Sequence, residues 1–107
     1  MTMFEDRERA FEAKFARDEE VAFRVIARRN RLLGQWAAGL MKLTPEETEA
    51  YAKAVVQADF EETGDDDVVR KLYGDLIAAN VEVDEGAVRK ALEDQTVEAR
   101  RQLIEAP

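Results

Sequence analysis

From Glu5 to Lys42 the chain has no proline, and its first glycine is Gly34. Nothing there stops a helix, because neither the missing N–H of proline nor the backbone freedom of glycine intervenes. A single helix of up to about 38 residues is allowed, about 57 Å long at 1.5 Å per residue. The remainder is punctuated far more closely. In "LTPEETEAYAKAVVQADFEETG", Thr44 can accept from first-turn donors, Pro45 suits the first helical position, Glu47 completes a capping box and Gly64 ends the run. Tyr51, Ala52, Val55, Val56 and Phe60 form its apolar stripe. "GDDDVVRKLYGDLIAAN" reads as a second helix, with aspartates complementing the dipole at its start and Asn80 tolerating a left-handed end. Val68, Val69, Leu72, Leu76, Ile77 and Ala79 are its expected buried side, and Gly74 costs about 1 kcal/mol unless a neighbour packs close. A third helix follows the cap Asp84, with Val88, Leu92, Val97, Leu103 and Ile104 inward and Arg100 and Arg101 near its C-terminal end. Short helices such as these cannot cover one of about 57 Å, so part of the first helix must project, bend or melt.

Apolar content shows which part. Met1 to Glu20 contains no Leu, Ile or Val, whereas Val21 to Leu43 carries Val25, Ile26, Leu32, Leu33, Trp36, Leu40 and Met41, the material of a core helix. The polar joint "RDEE", Arg17 to Glu20, separates the two regimes. The expected organisation is a mobile N-terminal arm over 1–20 and a helical bundle over 21–107.

At 107 residues the chain is one domain, too small for two cores. With 46% hydrophobic and 37% charged residues, the fold class expected is all-α, a four-helix bundle with a long N-terminal helix whose first part is mobile or projecting. A net charge of −8 repels phosphate backbones and anionic lipid surfaces, which argues against nucleic acid and membrane insertion. The chain has no cysteine and no histidine, so thiolate chemistry and the commonest proton shuttle and metal ligand are missing. No enzyme, cofactor or metal site is expected. The start lacks a secretory pattern, and no run approaches the roughly 18 apolar residues of a membrane span, so a cytoplasmic location is expected.

The run "FEDRERAFEAKFARDEEVAFRVIARRNRLLGQWAA", followed by "YAKAVVQADFEETGDDDVVRKL", resembles the zeta subunit family of α-proteobacterial F-type ATP synthases over nearly the whole chain. These are small proteins that inhibit ATP hydrolysis by the rotary enzyme. The resemblance implies a four-helix bundle whose mobile N-terminal segment folds as a helix in the catalytic head at an α/β interface, near the γ stalk. It implies α, β and γ subunits as partners, peripheral association with the membrane-bound synthase, and a protein that is monomeric when free. The inhibitory segment maps onto Met1 to about Arg17.

The residues of that segment suit the role. Phe4, Phe11 and Phe15 share a helical face, and each buried aromatic contributes about 1.5–3 kcal/mol before ordering costs. Glu5 and Asp6 complement the dipole, Arg7, Arg9 and Lys14 can meet carboxylates, and Glu5 with Arg9 is an i,i+4 pair. The competing reading continues Phe11 and Phe15 into the core stripe toward Phe23, in a generic helical interaction module or homo-oligomer without inhibitory activity.

A basic island, Arg24, Arg28, Arg29 and Arg31, is a weak candidate for phosphate or nucleotide or for gripping an acidic partner, and is better read as pairing with the nine acids of residues 44–67. Asp65, Asp66 and Asp67 lack the spacing of a calcium loop and are expected to cap a helix. Trp36 is expected in the core. Asp59 and Glu62 could in principle do acid and base work, but no phosphate loop accompanies them.

Overall fold

The computed structural model describes the backbone of residues 3–105 and the side chains of residues 18–104. Helix α1, Met3–Leu40, runs for 38 residues, and the polar joint of residues 17–20 lies inside it without a break. Helices α2, Pro45–Glu61, α3, Asp65–Ala78, and α4, Glu85–Arg100, follow, and a π-helical turn, Arg101–Glu105, closes the described chain. The protein is all-α, a four-helix bundle, as its periodicity requires.

The helix ends follow local chemistry. Thr44 Oγ1 accepts from the Glu47 N–H at 3.1 Å while Glu47 Oε1 accepts from the Thr44 N–H at 2.9 Å, a complete capping box. Asp84 accepts from the Ala87 N–H at 2.8 Å to start α4. Asn80, at φ 62°, ends α3 with its N–H on the Ile77 carbonyl, as the sequence suggests. The end of α1 was not legible. Lys42 takes the left-handed conformation at φ 60°, and the Leu43 N–H reaches back to the Ala38 carbonyl at 3.0 Å. Gly64 caps α3 at φ 138°, a conformation that side chains rarely adopt.

α1 packs chiefly against α2 and α4. Val25, Leu33, Ala37 and Ala38 of α1 are buried with Ala52 and Val55 of α2, Val68, Val69, Leu72 and Leu76 of α3, and Val88, Ala91 and Ala99 of α4. Trp36 and Met41 pack half-buried against this core. The closest approach is at Gly34, where a Cβ would lie 2.7 Å from the Ala52 Cα. Between α2 and α3, the Tyr51 hydroxyl donates to Asp75 at 2.6 Å, and Lys71 donates to the same carboxylate at 3.1 Å. Burial, and then the hydrogen bond to Asp75, push the Tyr51 hydroxyl pKa upward.

Several residues expected inside are exposed. Val97, 69% accessible, sits nine residues from Val88 and so on the opposite side of α4. Ile77 lies more than about 100° from the centre of the Val68–Leu72–Leu76 stripe, Ala79 has passed the end of α3, and Leu103 and Ile104 fall in the π-helical turn, which breaks the period. Leu40 is exposed at the last residue of α1. Phe60 and Ile26 are exposed for another reason, since no element covers them.

Two glycines separate propensity from packing. Nothing lies within 4 Å of a Cβ built on exposed Gly74, so Gly74→Ala is expected to stabilise the protein by about 1 kcal/mol. Gly34→Ala drives a methyl group into the α2 backbone and should cost about 1–3 kcal/mol. Urea denaturation of both variants reads the two signs.

Candidate functional site

Val25, Leu33, Ala37 and Ala38 define the buried face of α1, and helical spacing puts residues 29, 30 and 34 on the same face. Arg29 and Asn30 are therefore buried, at 5% and 1% accessible, within an apolar stripe. Such groups cost several kcal/mol unless paired. Here they are paired: Arg29 Nε and Nη2 donate to Asn30 Oδ1 at 3.2 and 3.0 Å, and Arg29 Nη1 donates to Asp65 Oδ1 at 2.9 Å. Asn30 Nδ2 donates to Asp59 Oδ2 at 2.9 Å, and the other Asp59 oxygen accepts from the Gly64 N–H at 3.4 Å. Among the described residues no buried side-chain polar atom lacks a partner. This network ties the middle of α1 to the end of α2 and the start of α3, and holds the root of the long helix in one orientation.

The basic island divides. Arg29 turns inward to Asp65, and Arg31 Nη2 donates to both carboxylate oxygens of Glu49 of α2 at 2.8 Å, so these two meet the acids of residues 44–67 as expected. Arg24 instead pairs with Glu20 of its own helix at 2.7 Å, and Arg28 donates to neutral Gln102 at 2.9 Å. Arg24, Arg28 and Arg31 line one groove, while Arg29 lies on another side of α1, so the four do not converge.

The three aspartates occupy the first turn of α3, as expected from the dipole, but none makes a capping hydrogen bond. Each pairs with an arginine instead: Asp65 with Arg29, Asp66 with Arg89 and Asp67 with Arg70. Asp59 is held by Asn30 and the Gly64 N–H, beside exposed Glu62.

Asn30 and the role of Asp59 escaped the sequence reading. The signal that could have found Arg29 is its spacing of four from both Val25 and Leu33.

The sequence matches the family model described as ATPase inhibitor subunit zeta over residues 1–102. The chain belongs to the ATPase inhibitor subunit zeta family. A solved solution NMR structure is similar, at 42% sequence identity and a TM-score of 0.67, over 78% of this chain and 94% of that one. No curated protein matches the sequence at a significant level.

Membership of the zeta family makes this an ATPase inhibitor subunit and implies binding to the ATP synthase. Among the described residues no helix is long and apolar enough to cross a membrane. The residues read as partner-binding, Phe4, Glu5, Asp6, Arg7, Arg9, Phe11, Lys14 and Phe15, belong to the first half of α1, and their side chains lie outside the described residues.

Asn30→Ala removes the acceptor of two Arg29 donors and the donor to Asp59. It is expected to lower stability by about 1–3 kcal/mol in urea denaturation, since desolvated partners are left behind. A second expectation concerns acid. Hydrogen bonds from Arg101 and then Gln102 hold the Glu98 carboxyl at about 2, below its ordinary 4.5. The carboxyl is depressed in the folded state, so its stabilisation is present above the unfolded pKa and is lost as pH falls from about 4.5 to about 2. Denaturation at stepped pH should show a shallower acid-side loss in Glu98→Gln.

Proposed function

We propose that the first half of α1 is the inhibitory element. It enters the catalytic head of the ATP synthase at an α/β interface near the γ stalk and blocks rotation in the hydrolytic direction, while the bundle over residues 21–107 anchors it from outside. The observation that carries this reading is the mismatch of lengths. α1 runs for 38 residues, whereas α2, α3 and α4 run for 17, 14 and 16, and the first buried residue of α1 among those described is Val25. The sequence ahead of that residue contains the three phenylalanines Phe4, Phe11 and Phe15.

Energetics fit reversible inhibition. Three aromatic anchors contribute about 1.5–3 kcal/mol each, set against the ordering and desolvation that binding costs. Glu5, Asp6, Arg7, Arg9 and Lys14 around them set register, because paired charges at a partly desolvated rim discriminate more than they add. α, β and γ subunits are the proposed partners, and attachment to the membrane is through the synthase.

The test is ATP hydrolysis by the cognate head, titrated with the full chain and with Phe4→Ala/Phe11→Ala/Phe15→Ala. The triple variant should require at least about 100-fold more protein for half inhibition, at about 1.4 kcal/mol per tenfold, and keep its thermal midpoint. Equal inhibition by both proteins would refute the assignment. A lowered midpoint would return the phenylalanines to a structural role.

A further inference from the structure

The inward face of α1 continues past the point where the other helices stop covering it. Phe23 shares its helical line with Ala27, Asn30 and Gly34, and Ile26 shares its line with Asn30, Leu33 and Ala37. Asn30, Leu33, Gly34 and Ala37 are buried, yet Phe23 is 51% and Ile26 41% accessible. Phe60 of α2 stacks on Phe23 at 5.2 Å between ring centroids and is itself exposed. Leu103 and Ile104 add two more exposed apolar side chains from the π-helical turn.

These residues line three grooves around α1. One, of about 340 Å³, has Phe23, Ile26 and Phe60 in its wall. Another, of about 410 Å³, has Val21, Val25, Ile26 and Ile104. The third, of about 420 Å³, has Phe23, Val56 and Leu103 with Arg24, Arg28 and Arg31, of which Arg24 is paired with Glu20 and Arg31 with Glu49. In a chain of net charge −8 Arg28 stands apart, because among the described residues its hydrogen-bond partner is the neutral Gln102. Isolated exposed apolar residues need no explanation, but a contiguous apolar collar with a basic wall does.

We infer that the Phe23–Leu103 groove with Arg28 in its wall is a second docking surface for the ATP synthase head, and that it receives an amphipathic segment whose apolar side chains are flanked by carboxylates. This rests on the proposed inhibitory role of α1, because the helix supplies the geometry. Phe23 lies eight residues beyond Phe15, about 12 Å along one axis. A cleft that holds the first half of α1 therefore brings its own mouth against the collar. The apolar wall buries against the segment, and the Arg28 guanidinium, which has no carboxylate partner among the described residues, selects an acidic flank.

Binding of the full chain to the head is measured by surface plasmon resonance at low and high ionic strength, for the unmodified protein, Arg28→Glu, Leu103→Ala and Phe11→Ala. Arg28 and Leu103 are exposed, so both groove variants should melt as the unmodified protein does. Arg28→Glu is expected to weaken binding about tenfold or more at low ionic strength, with the gap closing at high, because exposed charges are screened by salt. Leu103→Ala should weaken it several-fold at both. Unchanged binding in both groove variants, with binding lost in Phe11→Ala, overturns the groove and leaves the inhibitory reading intact. Weakened binding in the groove variants, with full inhibition by Phe11→Ala, supports the groove and overturns that reading. If Arg28→Glu turns a dimer of the free protein into a monomer in sedimentation, a second copy occupies the groove and the inference falls.

Discussion

The crossing of α1 and α2 at Gly34 sets the geometry of the whole bundle. With no side chain at Gly34, the Ala52 backbone comes within 2.7 Å of where a Cβ would sit, and Ala37, Ala38 and Ala52 are all fully buried. Small residues on both helices bring the two backbones into near contact. That closeness puts Asn30 within reach of Asp59, and Val55, three residues from Ala52 on the same face of α2, packs in the core with the leucines of α3. A wider crossing would separate Asn30 from Asp59 and leave the buried Asn30 amide group without its acceptor. Apolar packing and the polar network therefore depend on the same contact.

Much of this was legible from residues alone. Helix starts were clearest, because Thr44, Glu47 and Asp84 act through hydrogen bonds to backbone three residues away and Pro45 through its fixed φ, and local chemistry needs no knowledge of the fold. Ends were harder. Lys42 ends α1 in a conformation that its residue type does not favour, held by hydrogen bonds to Ala38 and Gly39. Burial was legible in the middle of each stripe and misleading at its edge, where Val97 and Ile77 drift out of phase. Least accessible was the network: pairing of Arg29 with an acid of residues 44–67 was expected, but not its burial beside Asn30, nor the Asn30 bond to Asp59. Of the arm, the sequence shows the pattern of phenylalanines and charges, and family membership gives that pattern its functional setting.

Cover is distributed unevenly along α1, and this is the basis of its division of labour. Its C-terminal half is surrounded by α2, α3 and α4, and rigidly oriented through Arg29 and Asn30. Farther toward the N-terminus, around Phe23, it is apolar on the same face but open. A stable domain therefore ends in a surface that has not finished burying itself. The charge follows the same division: the acids of α2 and α3 answer Arg29 and Arg31, while Arg28 faces outward with an uncharged partner.

That α1 is one unbroken helix has a mechanical consequence. A flexible tether would let arm and domain turn independently, whereas a continuous helix fixes their relative azimuth as a shaft fixes the bit of a key to its bow. Each residue of that shaft advances about 1.5 Å and turns about 100°. Loss of one residue between the polar joint and the Arg29 root would hardly change how far the arm reaches. It would swing the phenylalanine edge by more than a quarter turn relative to the bundle. Length in this segment is thus constrained by phase far more than by reach.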